Sequence, residues 1–449
     1  MAEELAGTNS LAELLAEKTK PEDLGIPISL VSDLILRLML GEGEVSLARF
    51  ADVIRLHAGI ADTLLAQMQH DHQVEVAKAT SMRLGYTYRL TDEGLKRARD
   101  AKARAQYVGP APVDVELYNK VLLLQTGDKQ RITPAAVQQA LGHLILPDNF
   151  HRRIGPAVNS GTSLFLYGPP GNGKTTIAEA IAKLLAGSDP IWLPYALTIG
   201  GQIIRLYDPV IHELAAAEEA EGEKGEKAKP SQTGMLTIGG SKLRVDKRWG
   251  CFKRPSVMVG GELVMEALDL RYDTISNTYE SPLQLKANGG MFLIDDFGRQ
   301  RISPQELLNR WIVPLESGVD FQRLQTGQAI EFPFRQLIVF STNLDPTELV
   351  DAAFLRRIQM KVEVGSPDER MFYQIFAKMC QVYQVPFDQK SFVHLLQRWY
   401  REPRRQLQSV HPRDILKMLL SLCEYEGVPP RMTPELIDEA CQCYFVGQQ

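Results

Sequence analysis

Apolar residues recur at helical spacing over 28–40, over 46–56, where Leu47, Phe50 and Ile54 share one face, and over 60–70. The period then drops to two in two short runs, 73–77 and 86–90, joined by a turn-like stretch. Thr91, followed by Asp92, Glu93 and Gly94, is placed as the N-cap of a further helix. A Pro/Gly stretch at 107–113 marks a boundary. Helices are expected over 133–141 and 148–158. Strand and helix signals then alternate to about residue 364, and from 366 onward the pattern is helical only, over 368–383, 389–400, 412–425 and 434–444. The expected division is a first unit over 1–107, a linker over 108–143, an α/β unit over 144–365 and an all-helical unit over 366–449.

Within the α/β unit, three runs have the continuous apolar character of buried parallel strands: 164–167, 291–294 and 336–341. The stretch 200–285 is too long for a simple crossover, so it is expected to hold an insertion. Residues 215–229 have no apolar period and alternate in charge, which suits a solvated insert rather than a packed element.

Composition narrows the class. A 44% apolar content over 449 residues supports several cores, and 50 basic against 55 acidic residues leave a net charge of −5. That balance argues against a general nucleic-acid binder. The five cysteines are scattered and odd in number, as expected of reduced thiols in a cytoplasmic protein. The opening residues have neither the basic nor the apolar part of a secretory leader. No run reaches the roughly 18 apolar residues that span a bilayer.

The strand at 164–167 leads straight into Gly168-Pro169-Pro170-Gly171-Asn172-Gly173-Lys174-Thr175, followed by Thr176 and a helix over 175–185. This is a phosphate loop in its strand–loop–helix setting. Glycines let backbone N–H groups converge on phosphate oxygens, and the helix start adds positive potential there. Lys174 is placed to reach the β- and γ-phosphates of ATP, and Thr175 to hold Mg²⁺. The strand at 291–294 ends in Asp295 and Asp296. Asp295 is expected to bind Mg²⁺ through water, and Asp296 to orient the attacking water as general base.

These motifs, with three more downstream, resemble the AAA+ ATPases over about two thirds of the chain. The strand ending in Thr342-Asn343 resembles the first sensor, with Asn343 on the attacking water. Residues 351–358 resemble the segment that sends an arginine finger to the neighbouring subunit, through Arg356 or Arg357. His411-Pro412-Arg413 resembles the second sensor, with Arg413 reaching the γ-phosphate. The resemblance implies a P-loop AAA+ domain with a parallel sheet and a C-terminal helical lid, assembled as a homo-oligomeric ring, usually a hexamer. The lead-in Ala287-Asn288-Gly289-Gly290 and a hairpin expected over 320–332 are similar to the MoxR and enhancer-binding-activator branches. Two departures are plain: the activators' substrate-contacting loop and the HEXXH of protease-linked members are both absent. Most relatives also carry glutamate where this chain has Asp296.

Tyr88-Arg89-Leu90-Thr91 resembles the second wing strand of bacterial winged helices, so the first unit is expected to be winged-helix-like. It carries 13 Lys/Arg against 16 Asp/Glu over 1–108, and its presumed recognition helix, 60–70, has no Lys or Arg. Duplex binding draws on several basic phosphate contacts, so a protein client is favoured over nucleic acid. Three functions are in view: ATP-driven remodelling or assembly of a protein, a DNA-associated ATPase, and a nucleotide-gated scaffold with little hydrolysis. Residues 249–261, with Trp249, Phe252, Val257 and Met258, are candidates for an apolar pore loop that grips the client, or for packing within the insertion.

Overall fold

The computed structural model describes residues 10–127, 132–147, 150–161, 163–215, 235–238, 241–349 and 352–445. The expected solvated insert at 215–229, apart from Ala215, and Asp351 of the finger segment lie outside these.

The first unit has helices Ile28–Glu42, Leu47–Val53, Ala58–His70 and Asp92–Arg104. An antiparallel sheet runs in the order Val45–Ser46, Thr87–Leu90, Val74–Lys78. The Thr91 cap is the one read from sequence; Ser46, expected to begin its helix, caps it instead. Ser46 caps the Arg49 N–H and Thr91 caps that of Gly94. Val31, Leu34, Ile35, Phe50, Ile60 and Leu65 close a core around Tyr88.

The stretch expected as a linker is instead structured. Val113–Asp114 pairs in parallel with Ala196–Ile199. Helix Val115–Gly127 buries Tyr118, Val121 and Leu122 completely. Those positions share one helix face. The Pro/Gly composition just before them marked a turn, not a free tether.

The central sheet is five-stranded and wholly parallel. Its order is Ser256–Val259, Met291–Ile294, Leu337–Thr342, Ser163–Tyr167, Met360–Glu363. Helix Lys174–Ala186 packs on it through Ile177, Ala178 and Ile181. Its other face buries Phe165, Phe292, Phe340 and Trp311. Chain enters the Met291 strand through a close approach: a Cβ on Gly290 would lie 1.9 Å from the Pro255 carbonyl oxygen, so only glycine fits.

The insertion is displaced from its expected place. It follows the helix after the phosphate loop and ends before Ser256, because Ser256–Val259 is itself the second strand of the central sheet. Two of the inserted strands join chain from before the phosphate strand and from after Ser256–Val259 in a second five-stranded sheet, in the order Arg271–Asp273, Thr278–Glu280, Gln202–Arg205, Ala196–Ile199, Val113–Asp114. Beside it, Ile191–Pro194 pairs with Trp249–Phe252. The hairpin Val319–Arg323 and Ala329–Pro333 packs Ile330 and Phe332 into the same core as Tyr118 and Tyr279. Arg248, fully buried, ties three segments together: its guanidinium pairs with Asp246 and donates to the carbonyls of Leu24 and Pro112. A buried charge is tolerable only with such complete pairing.

The pore-loop reading of 249–261 fails on this geometry. Trp249 and Phe252 are 3% and 1% exposed. Phe252 sits among the rings of Tyr195, Tyr207 and His212. Val257 is buried in the central sheet, and only Met258, at 50% exposure, faces out.

The C-terminal unit has helices Glu369–Val382, Gln389–Leu396, His411–Glu426 and Pro434–Tyr444. Its separate core holds Phe372, Phe376, Leu395, Ile415, Leu419 and Ile437. Among the described residues no helix is long and apolar enough to cross a membrane.

Candidate functional site

The phosphate loop lies where the Ser163–Tyr167 strand leaves the sheet, between Leu337–Thr342 and Met360–Glu363. Gly168, Gly171 and Gly173 all have positive φ, at 136°, 74° and 87°. At Gly168 the reason is also steric, since a Cβ would lie 2.4 Å from the Val364 carbonyl oxygen. Pro169, Pro170 and Asn172 complete the turn. Lys174 begins the following helix and is 6% exposed. Its Nζ donates to the carbonyl oxygens of Gly168 and Pro169, at 2.8 and 2.9 Å. Burial pushes its pKa below the usual lysine value, and the charges of Asp296 and Asp295 oppose that shift. A buried ammonium turned back on its own loop is the charge an anionic ligand would meet.

Across the loop, Thr175 donates its hydroxyl to Asp295 Oδ2 at 2.9 Å. Thr175 and Asp295 therefore sit side by side at the helix start, though 120 residues apart in sequence. A hydroxyl and a carboxylate at the mouth of a phosphate loop are the hard oxygen donors that suit Mg²⁺. Thr176, one position on, is exposed.

Asp296 takes a left-handed backbone conformation, φ 49°, which Asp tolerates better than most residues. Its Oδ1 accepts a hydrogen bond from Asn343 Nδ2 at 2.8 Å. The turn after the carboxylates is held by Gln300. Its Nε2 donates to the carbonyl oxygens of Asp295 and Asp296, at 2.8 and 3.1 Å, and its Oε1 accepts from the Gly298 N–H at 2.8 Å. Sequence reasoning missed Gln300: it lies in a short irregular turn, where no periodicity marks it.

The helical unit reaches the loop from behind. The Val410 N–H donates to the Gly171 carbonyl oxygen at 2.8 Å, and the Ser409 N–H to Asn172 Oδ1 at 3.1 Å. These residues immediately precede helix His411–Glu426, which carries Arg413. Arg413 pairs with Asp414 at 2.8 Å and is about half exposed. It stands three residues from the loop contact, without an ion pair to the loop itself.

The two finger candidates differ. Arg357 is bonded to Glu316 through Nε at 2.5 Å and is 21% exposed in its side chain. Arg356 is exposed and makes no side-chain hydrogen bond or ion pair among the described residues.

The geometry thus gathers Lys174, Thr175, Asp295, Asp296 and Asn343 at one end of the parallel sheet, with the helical unit on the loop. In open α/β sheets this carboxyl end is where ligands bind. The family model for the ATPase family associated with various cellular activities (AAA) matches residues 164–205, the phosphate strand, loop and helix and the three strands that follow, to Arg205. Over these residues the α/β unit is similar to the AAA ATPases. A second model, for a domain of unknown function (DUF8689), matches residues 368–443, the helical unit.

A relative is the vesicle-fusing ATPase of Dictyostelium discoideum, 26% identical over 182 residues, which cover 37% of this chain and 24% of that one. The match thus spans about a quarter of that relative's length. Among solved structures, NtrX of Brucella abortus aligns at 12% identity and TM-score 0.38, over 76% of this chain and 66% of that one. A RuvB mutant of Thermotoga maritima aligns at 13% identity and TM-score 0.39, over 69% and 73%.

Proposed function

We propose that the protein is an ATP-hydrolysing AAA+ machine that assembles as a homo-oligomeric ring, a hexamer, and remodels or assembles a protein client in the cytoplasm. The observation that carries this reading is the hydrogen-bonded line Thr175–Asp295 and Asp296–Asn343 beside the buried Lys174. Lys174, Thr175, Asp295, Asp296 and Asn343 are at the same sheet end. Lys174 and the loop N–H groups would hold the β- and γ-phosphates. Thr175 and Asp295 would hold Mg²⁺, which supplies charge neutralisation at the phosphates when bound. Asp296 would take the proton of the attacking water, and Asn343 would fix the carboxylate that does so. Arg413 from the helical unit, and Arg356 from a neighbouring copy, would stabilise the charge that develops on the transferred group.

Two features support the MoxR and activator branch. The hairpin before the Leu337 strand is present, and the lead-in residue Asn288 is buried, donating to the Pro333 carbonyl oxygen at 2.8 Å and to the Tyr118 hydroxyl at 3.1 Å. The element order of the first unit supports a winged helix used as a docking module. Its helix Ala58–His70 carries no Lys or Arg, and Asp62 holds Arg83 at 2.8 Å. The hairpin tip exposes Met82 and Leu84. Both observations favour a protein surface over a duplex as partner. Turnover of Mg·ATP by the purified full chain, with the Asp296→Asn variant as control, tests the reading. Failure of the wild type to bind ATP by calorimetry would overturn it.

A further inference from the structure

Asn172 lies at a variable position of the phosphate loop, where the motif asks only for a backbone N–H. Here the side chain has a task of its own. It is 5% exposed. Its Oδ1 accepts from the Ser409 N–H at 3.1 Å, and its Nδ2 donates to Ser366 Oγ at 3.2 Å and, more weakly, to the Pro169 carbonyl oxygen at 3.4 Å.

Ser366 and Ser409 are the two ends of one path. Ser366 lies just after Met360–Glu363, where the chain leaves the central sheet for the helical unit. Ser409 lies where the chain comes back to the loop, next to Val410 and four residues before Arg413. One amide therefore fastens the exit and the return of the helical unit to the phosphate loop. Gly171 leaves no slack beside it: a Cβ there would lie 2.8 Å from both Gln408 Oε1 and Val410 Cγ1.

The same loop must change when phosphate arrives. Lys174 Nζ is bonded to the carbonyl oxygens of Gly168 and Pro169. To meet a phosphate it must turn from these, and the Pro169 carbonyl it releases is the one Asn172 Nδ2 also reaches. A shift at that carbonyl is felt directly by the side chain that holds Ser366 and Ser409.

We propose that Asn172 is a positioning residue that couples occupancy of the phosphate loop to the placement of the helical unit, and so of Arg413. The proposal rests on reading the site as an ATPase. Its action is through Arg413, not through contact with phosphate.

The test uses Asn172→Ala, which removes both arms, and Ser366→Ala, which removes only the Nδ2 arm and leaves the loop sequence intact. Each hydrogen bond is worth about 1 kcal/mol net, a factor of about five. Asn172→Ala is therefore expected to lose on the order of tenfold or more in kcat, while its Mg·ATP affinity stays within about threefold of wild type. Ser366→Ala falls between the two. The independent readout is hydrogen exchange at 405–413: the added protection that the non-hydrolysable analogue AMP-PNP confers on the wild type should be lost in Asn172→Ala and reduced in Ser366→Ala. Unchanged kcat and unchanged protection in both variants would overturn the proposal. So would loss of affinity in Asn172→Ala as deep as in Lys174→Ala, which would make it a phosphate-binding residue. If Asn172→Ala does not fold, Ser366→Ala alone decides by the same two measurements. If the wild type binds nucleotide but does not turn over, the ATPase reading fails, and the exchange data still decide whether Asn172 links loop to helical unit.

Discussion

Asn343 donates its side-chain amide to the carboxylate of Asp296 at 2.8 Å, although 47 residues separate them. The bond joins the ends of two adjacent parallel strands, Met291–Ile294 and Leu337–Thr342. It gives the shorter acid a fixed direction. Aspartate has one methylene less reach than glutamate, and the left-handed turn at Asp296 together with the Gln300 bonds sets where that reach begins. Asp296→Asn should therefore bind Mg·ATP like wild type and lose turnover by roughly 10²-fold or more, the scale of removing a general base. Asn343→Ala should lose less, on the order of tenfold, since it removes a fixing hydrogen bond and leaves the base. Single-turnover assays at saturating ATP check both, and wild-type rates in Asp296→Asn would remove it as the base.

Lys174 is the buried cation of the site, and its present partners are carbonyl oxygens that any phosphate would outbid. Lys174→Ala should weaken ATP binding by about 10- to 100-fold or more, the scale of losing charge-assisted hydrogen bonds. Calorimetry with Mg²⁺ measures it. An affinity equal to wild type would place the phosphates elsewhere.

The two arginines should separate. Arg357 is held by Glu316 within its own chain, whereas Arg356 projects from the surface. Arg356→Ala is expected to retain ATP binding and to lose turnover by about 10³-fold, the lower range for a finger acting on the transition state. Mixed with Lys174→Ala subunits, it should recover part of its activity at interfaces where an intact finger faces an intact loop. Arg357→Ala should mainly lower the melting temperature. Full activity of Arg356→Ala at concentrations where ultracentrifugation shows only monomer would contradict the ring.

His411 gives the helical unit a pH dependence with a definite sign. It is buried against Tyr400, whose hydroxyl is 3.0 Å from Nδ1. Burial first, and Arg405 second, push its pKa down to about 4, against the pull of Asp414. The unfolded chain therefore binds this proton more readily than the folded one between the ordinary histidine value and about 4. Stability from neutral His411 is complete above about pH 6.5 and is lost as pH falls toward 4, by an amount on the order of 3 kcal/mol. Melting curves at pH 7, 5 and 4 should show a steeper decline for wild type than for His411→Gln. Parallel declines would assign the acid sensitivity to other groups.

Much of this is legible in the sequence. The phosphate loop, the carboxylate pair and the Asn343 strand are each a buried apolar run ending in polar residues, so composition and period both mark them. The first unit's helices and hairpin were legible for the same reason, with Thr91 capping as expected, while Ser46, expected inside its helix, caps it instead. The second sheet was not. Its strands are three or four residues long, and Val113–Asp114 is two. A two-residue strand has no period to detect, and its partner Ala196–Ile199 lies more than 80 residues away in sequence. Gln300, Ser366 and Ser409 were missed because their work is done by single hydrogen bonds in irregular chain. Arg356 and Arg357 could not be told apart in the sequence because the contact of Arg357 with Glu316 is long-range.

The corrected placement of 249–261 yields a sharp contrast. Pore residues and packing residues are equally apolar, so composition cannot tell them apart, but burial can. Phe252 has Tyr195, Tyr207 and His212 rings within 6 Å between centroids, and an exposed surface of 1%. Truncating it empties a space walled by three rings that are themselves anchored. Tyr207 stacks on His212, and the His212 ring bonds to the Lys286 carbonyl oxygen and the Asp208 N–H. Little collapse can fill the gap, so Phe252→Ala should cost about 3–5 kcal/mol, the usual range for a buried phenylalanine. Met258 points out from the edge strand of the central sheet, and Met258→Ala should cost well under about 1 kcal/mol, as surface changes do. Urea unfolding of the two variants measures the difference. A Phe252→Ala midpoint equal to wild type, combined with lost stimulation by a protein client, would restore the pore assignment for this segment and remove the packing account given to it.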